Sequence, residues 1–198
     1  MVKVDFVVNR IFTSRTYILS TDEAEGVWLV DCGDVDKVLE IIGHRSIKGV
    51  LLSHAHYDHI YGLPQLMALF PDALIYTNAF GKEALANDRV NMSRYHEDPI
   101  IVSSEKVLIC EEGAVIPMFD GVEAVVYETP GHNPSCLTFE IEDYLFTGDA
   151  YIPGVAVVTN LPKGDKALAE DSLKRIQLLA SDKIVYSGHE LTSNNELL

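Results

Sequence analysis

His54-Ala55-His56-Tyr57-Asp58-His59 decides how this chain is read, because four residues able to bind a metal ion stand within six positions. The stretch follows the apolar run Gly49-Val50-Leu51-Leu52 and the small residue Ser53, so it begins where a strand-like run gives way to a loop. Imidazoles and carboxylates bind zinc, or iron and manganese at higher coordination, while leaving positions open for water and substrate. A purely structural zinc site more often uses cysteine thiolates. A lone histidine would read as solvated or hydrogen-bonded, whereas a cluster this compact reads as a metal site with hydrolytic chemistry.

Three further potential ligands stand at similar boundaries. Thr129-Pro130-Gly131-His132 follows the run Val122 to Glu128, Thr147-Gly148-Asp149 follows Tyr144-Leu145-Phe146, and Ser187-Gly188-His189 follows Lys183-Ile184-Val185-Tyr186. Glycine before each ligand permits positive φ or close backbone approach. A side chain at a strand end can then be aimed into a shared cleft, where α/β folds commonly place function. Taken singly, each also fits local turn chemistry: Asp149 as a turn cap, His132 before Asn133-Pro134, His189 as a terminal surface residue. Together they bring five of the seven histidines and two carboxylates to strand ends. His44 and His96, at a helix end and in a loop, read as solvated.

Composition narrows the class. With 198 residues, 47% apolar and 23% charged, the chain is an ordinary globular sequence long enough for one sizeable core. No apolar run approaches the roughly 20 residues of a membrane-spanning helix. The alternating start Met1-Val2-Lys3-Val4-Asp5-Phe6-Val7-Val8 is strand-like rather than a signal peptide, so cytoplasmic residence is the expectation. Cys32, Cys110 and Cys136 are scattered without CxxC spacing and read as small buried residues in a reducing compartment. Thirty acidic against 15 basic side chains give a formal charge of −15 and no basic stripe, which disfavours nucleic-acid binding.

Strand-like runs fall at 2–8, 15–20, 27–31, 49–52, 73–77, 107–109, 122–128, 136–141, 143–147 and 183–187. A helix is expected after Asp34, a plausible N-cap, with Val35, Val38, Leu39 and Ile42 on one face and Gly43 as its stop. Further helices are expected at 62–70, 79–87 and 165–181, the last with Glu170–Lys174 and Asp171–Arg175 pairs. Residues 87–106 read as a long surface excursion that could reach over the cleft as a lid. Strands with interspersed helices at both ends argue for helix-covered sheets.

The order His54-Ala55-His56-Tyr57-Asp58-His59, Thr129-Pro130-Gly131-His132, Gly148-Asp149 and Ser187-Gly188-His189 closely resembles the metallo-β-lactamase superfamily, and the likeness covers nearly the whole chain. Leu29-Val30-Asp31-Cys32-Gly33 is similar to that superfamily's Asp-x-Gly element. The resemblance implies an α/β fold, a four-layer αββα sandwich over residues 1–198 as one domain, with the metal site at one edge. By position it implies His54, His56 and His132 as ligands of a first metal, and Asp58, His59 and His189 as ligands of a second. Asp149 takes the place of the bridging carboxylate. Asp31 resembles the residue that supports the ligand loop, a role that stands beside that of a turn aspartate before Gly33. With all seven positions filled, the expected cofactors are two divalent ions, zinc first and iron or manganese as alternatives.

Aspartate at 149 resembles glyoxalase II, lactonases and related hydrolases, whereas the β-lactamase branch usually has Cys or Ser there. The expected activity is hydrolysis of a small thioester, lactone or related ester by a bridging hydroxide, with Asp58 as the catalytic carboxylate that orients it or passes its proton on. Two other readings stand: a mononuclear iron oxidoreductase similar to persulfide dioxygenases, and metal binding without catalysis. Glyoxalase II has an additional C-terminal helical region whose basic residues hold glutathione, and Glu190 to Leu198 contain no Lys or Arg. Glutathione thioesters are therefore disfavoured, unless Lys163 or a partner subunit supplies the charge. The expected partner is a small-molecule substrate, with Tyr57, Tyr151, Asn160 and Lys163 as candidate cleft residues.

Overall fold

The computed structural model describes residues 1–96 and 98–189. One sheet runs in chain order through β1 (Lys3–Val8), β2 (Arg15–Ser20), β3 (Gly26–Val30), β4 (Ser46–Leu51), β5 (Leu74–Thr77) and β6 (Val107–Ile109). Its first three strands pair antiparallel and the remainder pair parallel. The second sheet has β7 (Val115–Phe119), β8 (Val122–Glu128), β9 (Leu137–Ile141) and β10 (Tyr144–Gly148) as an antiparallel meander, with β11 (Ile184–Ser187) added parallel to β10. Parallel neighbours require crossovers, and these carry the helices. They are α1 (Val35–Ile42) between β3 and β4, α2 (Tyr57–Ile60) and α3 (Leu63–Leu69) between β4 and β5, α4 (Ala79–Leu85) between β5 and β6, and α5 (Lys166–Leu179) between β10 and β11.

Three apolar interfaces separate four layers. Val27, Leu29, Val50 and Ile75 point from the first sheet toward Val35, Val38, Ile60, Leu63 and Leu66 on the helices. Their strand neighbours Tyr17, Trp28, Val30 and Leu51 point the other way, against Val126, Leu137, Phe139 and Phe146 of the second sheet. Leu145, on the outer face of β10, meets Ile176 of α5. Alternation of period two thus buries both faces of each central strand, and the result is the expected αββα sandwich. Truncating Phe139 or Phe146, both fully buried, would cost about 3–5 kcal/mol. No helix among the described residues is long and apolar enough to cross a membrane.

The local departures from the sequence reading have physical causes. Strand β7 contains Pro117, which argues against a strand, but β7 is the edge of its sheet, where a missing N–H is tolerated. Helix α2 is a single short turn and lies inside the His-rich stretch itself. Asp34 begins α1 without capping it, because its carboxylate is engaged by Arg10, Lys37 and Tyr61. On α5, Arg175 turns to Glu112 and Lys174 pairs with Asp171, so neither expected i,i+4 pair forms. Asp165 caps α5 by accepting from the N–H groups of Ala167 and Leu168 at 2.9 and 3.0 Å.

Candidate metal centre

All the sequence-identified ligands gather where strands of both sheets end. His54 and His56 follow β4, Asp58 and His59 form the start of α2, His132 follows β8, Asp149 follows β10 and His189 follows β11. Backbone bonds tie the two sheets together here: Leu137 N–H donates to Ser53 O at 2.8 Å, and Arg15 N–H to Gly188 O at 2.8 Å. Two glycines make the convergence possible. Gly131 sits at φ +136°, and a side chain there would run into the backbone of Ala169. At Gly188 a side chain would meet the Asp149 carboxylate and the His59 ring.

Each imidazole is held by its outer nitrogen, which leaves the other turned inward. Nδ1 of His54 lies 3.1 Å from Ser53 Oγ, and Nδ1 of His59 lies 2.8 Å from Asp31 Oδ2. His132 donates from Nδ1 to Val158 O at 2.8 Å, and His189 donates from Nδ1 to Phe12 O at 3.0 Å. His56 is reversed: its Nε2 lies 2.9 Å from Asn133 Nδ2, and its Nδ1 points inward. The Asn133 orientation follows from its Oδ1, which accepts from Ser135 N–H and Oγ–H at 3.0 and 2.6 Å. Partners of this kind fix the tautomer and direction of a ligating ring.

The inward atoms form overlapping groups, within each of which they lie no more than 4.8 Å apart: His54, His56 and His132; His54, His59 and Asp149; and Asp58, His59 and His189. Asp149 lies between the outer two, with Oδ1 3.6 Å from His59 Nε2 and Oδ2 3.7 and 3.5 Å from His132 Nε2 and His189 Nε2. Asp58 Oδ2 is 3.2 Å from both His59 Nε2 and His189 Nε2.

This donor set fits cations. His54 Nε2 and Asp149 Oδ1 are buried without a hydrogen-bond partner, a state that ordinarily costs about 1–3 kcal/mol per group. Nδ1 of His56 and Nε2 of His132 lie 2.9 Å apart, a hydrogen bond whose proton a cation between the two rings would replace. Burial and the neighbouring His59 hold His54 well below the ordinary imidazole range, and burial with His132 brings His56 down to about 4. Both are therefore neutral, the form that binds metal. At the other end burial opposes charge but is outweighed: Asp58, Asp31 and Asp149 hold His59 well above its usual value, and Asp149 and Asp58 raise His189 to about 9. The same contacts, against burial, hold Asp58 and Asp149 well below the carboxylate range.

Asp31 is fully buried at φ +60°, a conformation that non-glycine residues adopt only where surroundings enforce it. Its Oδ1 accepts from Ser53 N–H and its Oδ2 from Ser53 Oγ–H, both at 2.7 Å, beside the contact with His59. It thus braces the first and last histidines of the opening stretch.

A cavity of about 300 Å³ opens onto this cluster. Tyr57 lines it as expected, but Tyr151, Asn160 and Lys163 do not. His96, read as solvated, instead stacks on Tyr57 with ring centroids 4.1 Å apart and an interplanar angle of 11°. Residues 87–106 thereby bring Met92 and His96 to the cleft. The short sequence span around His96 carries no periodic signal that would have shown this contact.

The model of the metallo-β-lactamase superfamily matches residues 13–189. A hydroxyacylglutathione hydrolase from Tolumonas auensis is 27% identical over 181 residues, covering 90% of this chain and 63% of that protein. The chain thus spans about three-fifths of the length of such relatives. Among solved structures, the BLEG-1 B3 metallo-β-lactamase is 25% identical with a TM-score of 0.82, covering 96% of this chain and 91% of that one. TTHA1623 in a di-iron-bound form is 24% identical with a TM-score of 0.79, covering 94% and 92%.

Proposed function

This chain belongs to the metallo-β-lactamase superfamily, and on that footing we propose that it is a hydrolase of small thioesters, lactones or related esters with a dinuclear metal centre. His54, His56 and His132 would hold one ion, Asp58, His59 and His189 the other, and Asp149 would lie between them. The observation that carries this reading is the inward convergence of five imidazole nitrogens and two carboxylates, including two buried atoms with no hydrogen-bond partner. The completeness of the Asp58–His59–His189 group supports two ions rather than one. Zinc is the expected metal, with iron or manganese as alternatives.

When bound, such ions acidify water toward neutral pH and polarise an acyl carbonyl. The chain's own residues do the rest. Asn133, Asp31, Phe12 O and Val158 O keep the imidazoles aimed inward, so that no ring has to reorient during turnover. Asp58 borders the cavity, with Oδ2 3.2 Å from the inward Nε2 atoms of His59 and His189. Its carboxylate receives the proton of the attacking water and returns it to the leaving group. The acyl–sulfur or acyl–oxygen bond breaks, the water oxygen ends in the carboxylate product, one water proton ends on the thiol or alcohol and the other is released to solvent.

Metal analysis and kinetics test this directly. Protein loaded with zinc is expected to hold two ions per chain and to cleave thioesters or lactones. Asp58→Asn, assayed with saturating zinc, should lower kcat by about 10²–10⁴ with KM little changed. An unchanged kcat would remove Asp58 from the proton path. One iron per chain with oxygen consumption would favour the oxidoreductase reading, and fully loaded protein that cleaves nothing would leave metal binding alone.

A further inference from the structure

The cavity above the cluster has walls unlike its floor. Phe12, Met92, Ile152, Val155, Val157 and Leu161 line it, and among the described residues no Lys or Arg does. Its titratable lining residues are Tyr57, His96 and members of the ligand set. On one side Phe12 meets His96 edge-on at 5.7 Å, and His96 stacks on Tyr57, giving a continuous aromatic wall. About half of Phe12 is exposed, an apolar surface held open at the mouth. Arg10, the nearest cation along this loop, is committed to Asp34 and lies over Tyr61.

Resting on the hydrolase reading above, we propose that the cleft selects neutral thioesters or esters with an apolar acyl chain and disfavours anionic thiol carriers such as glutathione. Each methylene moved from water onto such walls is worth roughly fourfold in affinity. A carboxylate brought to the same walls, away from the metal floor, loses hydration that no Lys or Arg among the described lining residues replaces. The walls therefore reward chain length in the acyl group and penalise charge in the carrier.

Metal-loaded protein is tested on acetyl, butanoyl and hexanoyl thioesters of the neutral thiol thioglycerol, each beside the corresponding glutathione thioester. kcat/KM should rise roughly fourfold per methylene until the cavity is filled, and thioglycerol esters should exceed glutathione esters at least tenfold. Rates that are flat with chain length, or higher on glutathione esters, would overturn this substrate class and leave the hydrolase reading standing. No turnover of any ester would overturn the hydrolase reading. Titration calorimetry with acetamide and hexanamide then decides the walls without turnover. Hexanamide binding at least tenfold tighter supports the proposal, and equal or absent binding overturns it. Phe12→Ala and Leu161→Ala should each weaken hexanamide at least threefold, and unaltered binding in both would remove these residues from the site.

Discussion

The floor of the cleft consists of side chains at strand ends, with His54 and His59 fully buried and every ring braced from outside, whereas its walls are loop residues such as Phe12, which is 51% exposed. The floor is polar and its geometry is fixed by both sheets. The walls are apolar and joined to the floor chiefly through two backbone atoms, Phe12 O on His189 and Val158 O on His132. Those contacts use the chain rather than its side chains. Wall side chains can therefore vary without turning a ligand, while any change in the floor alters the donor set. Chemistry held by a rigid scaffold and selectivity carried by loops is the expected division in a fold of this kind.

The sharpest way to break this distinction is to alter the floor where its halves meet. In Asp149→Ala, turnover should fall on the order of a thousandfold, and zinc content should drop from two ions per chain to one or fewer. Atomic absorption together with thioester kinetics checks it, and full zinc content with near-normal rates would mean that Asp149 serves neither half. Asp31→Asn strikes the floor one step removed. Metal affinity should fall about 10–100-fold, measured by chelator competition, with the unfolding free energy lower by about 1–3 kcal/mol. Two anionic oxygens now serve Ser53 and His59, and an amide cannot replace both.

The contrast between floor and walls also explains what was legible in the sequence. Every floor residue follows a strand-like run, three of them directly after a glycine, so local spacing announced them far ahead of any contact. The order of strands and helices likewise pointed to helix-covered sheets and the resemblance to four layers, and in the structure Tyr17 and Ile18, or Trp28 and Leu29, pack on opposite faces. Pro117 concealed β7 because sequence does not show which strand lies at an edge. The walls were concealed more deeply. Val155-Ala156-Val157-Val158 resembles any short apolar run, and the contact of His96 with Tyr57 depends on how a long loop returns to the cleft. Loop placement is a tertiary property that neither composition nor period encodes.

A smaller effect probes what anchors the Phe12 wall. Asp34 Oδ2 accepts from Arg10 N–H at 2.9 Å and lies 2.7 Å from Lys37 Nζ, while Oδ1 accepts from Tyr61 Oη at 2.6 Å. Burial disfavours this carboxylate's charge, but Lys37, Tyr61 and Arg10 outweigh it and hold its pKa below the ordinary 3.8. The unfolded chain therefore takes up this proton at higher pH than the folded one. The stabilisation is present in full above about 3.8 and is lost as pH falls through the lower folded value. Asp34→Asn should cost about 1–2 kcal/mol at neutral pH and remove part of the decline below pH 4. Urea unfolding of both proteins between pH 2.5 and 7 should show their midpoints converging in acid. Because Arg10 leads into the wall loop, hexanamide binding should weaken as well. Midpoints that stay parallel to the lowest pH would show that the Asp34 charge is not what fastens the wall to the sandwich.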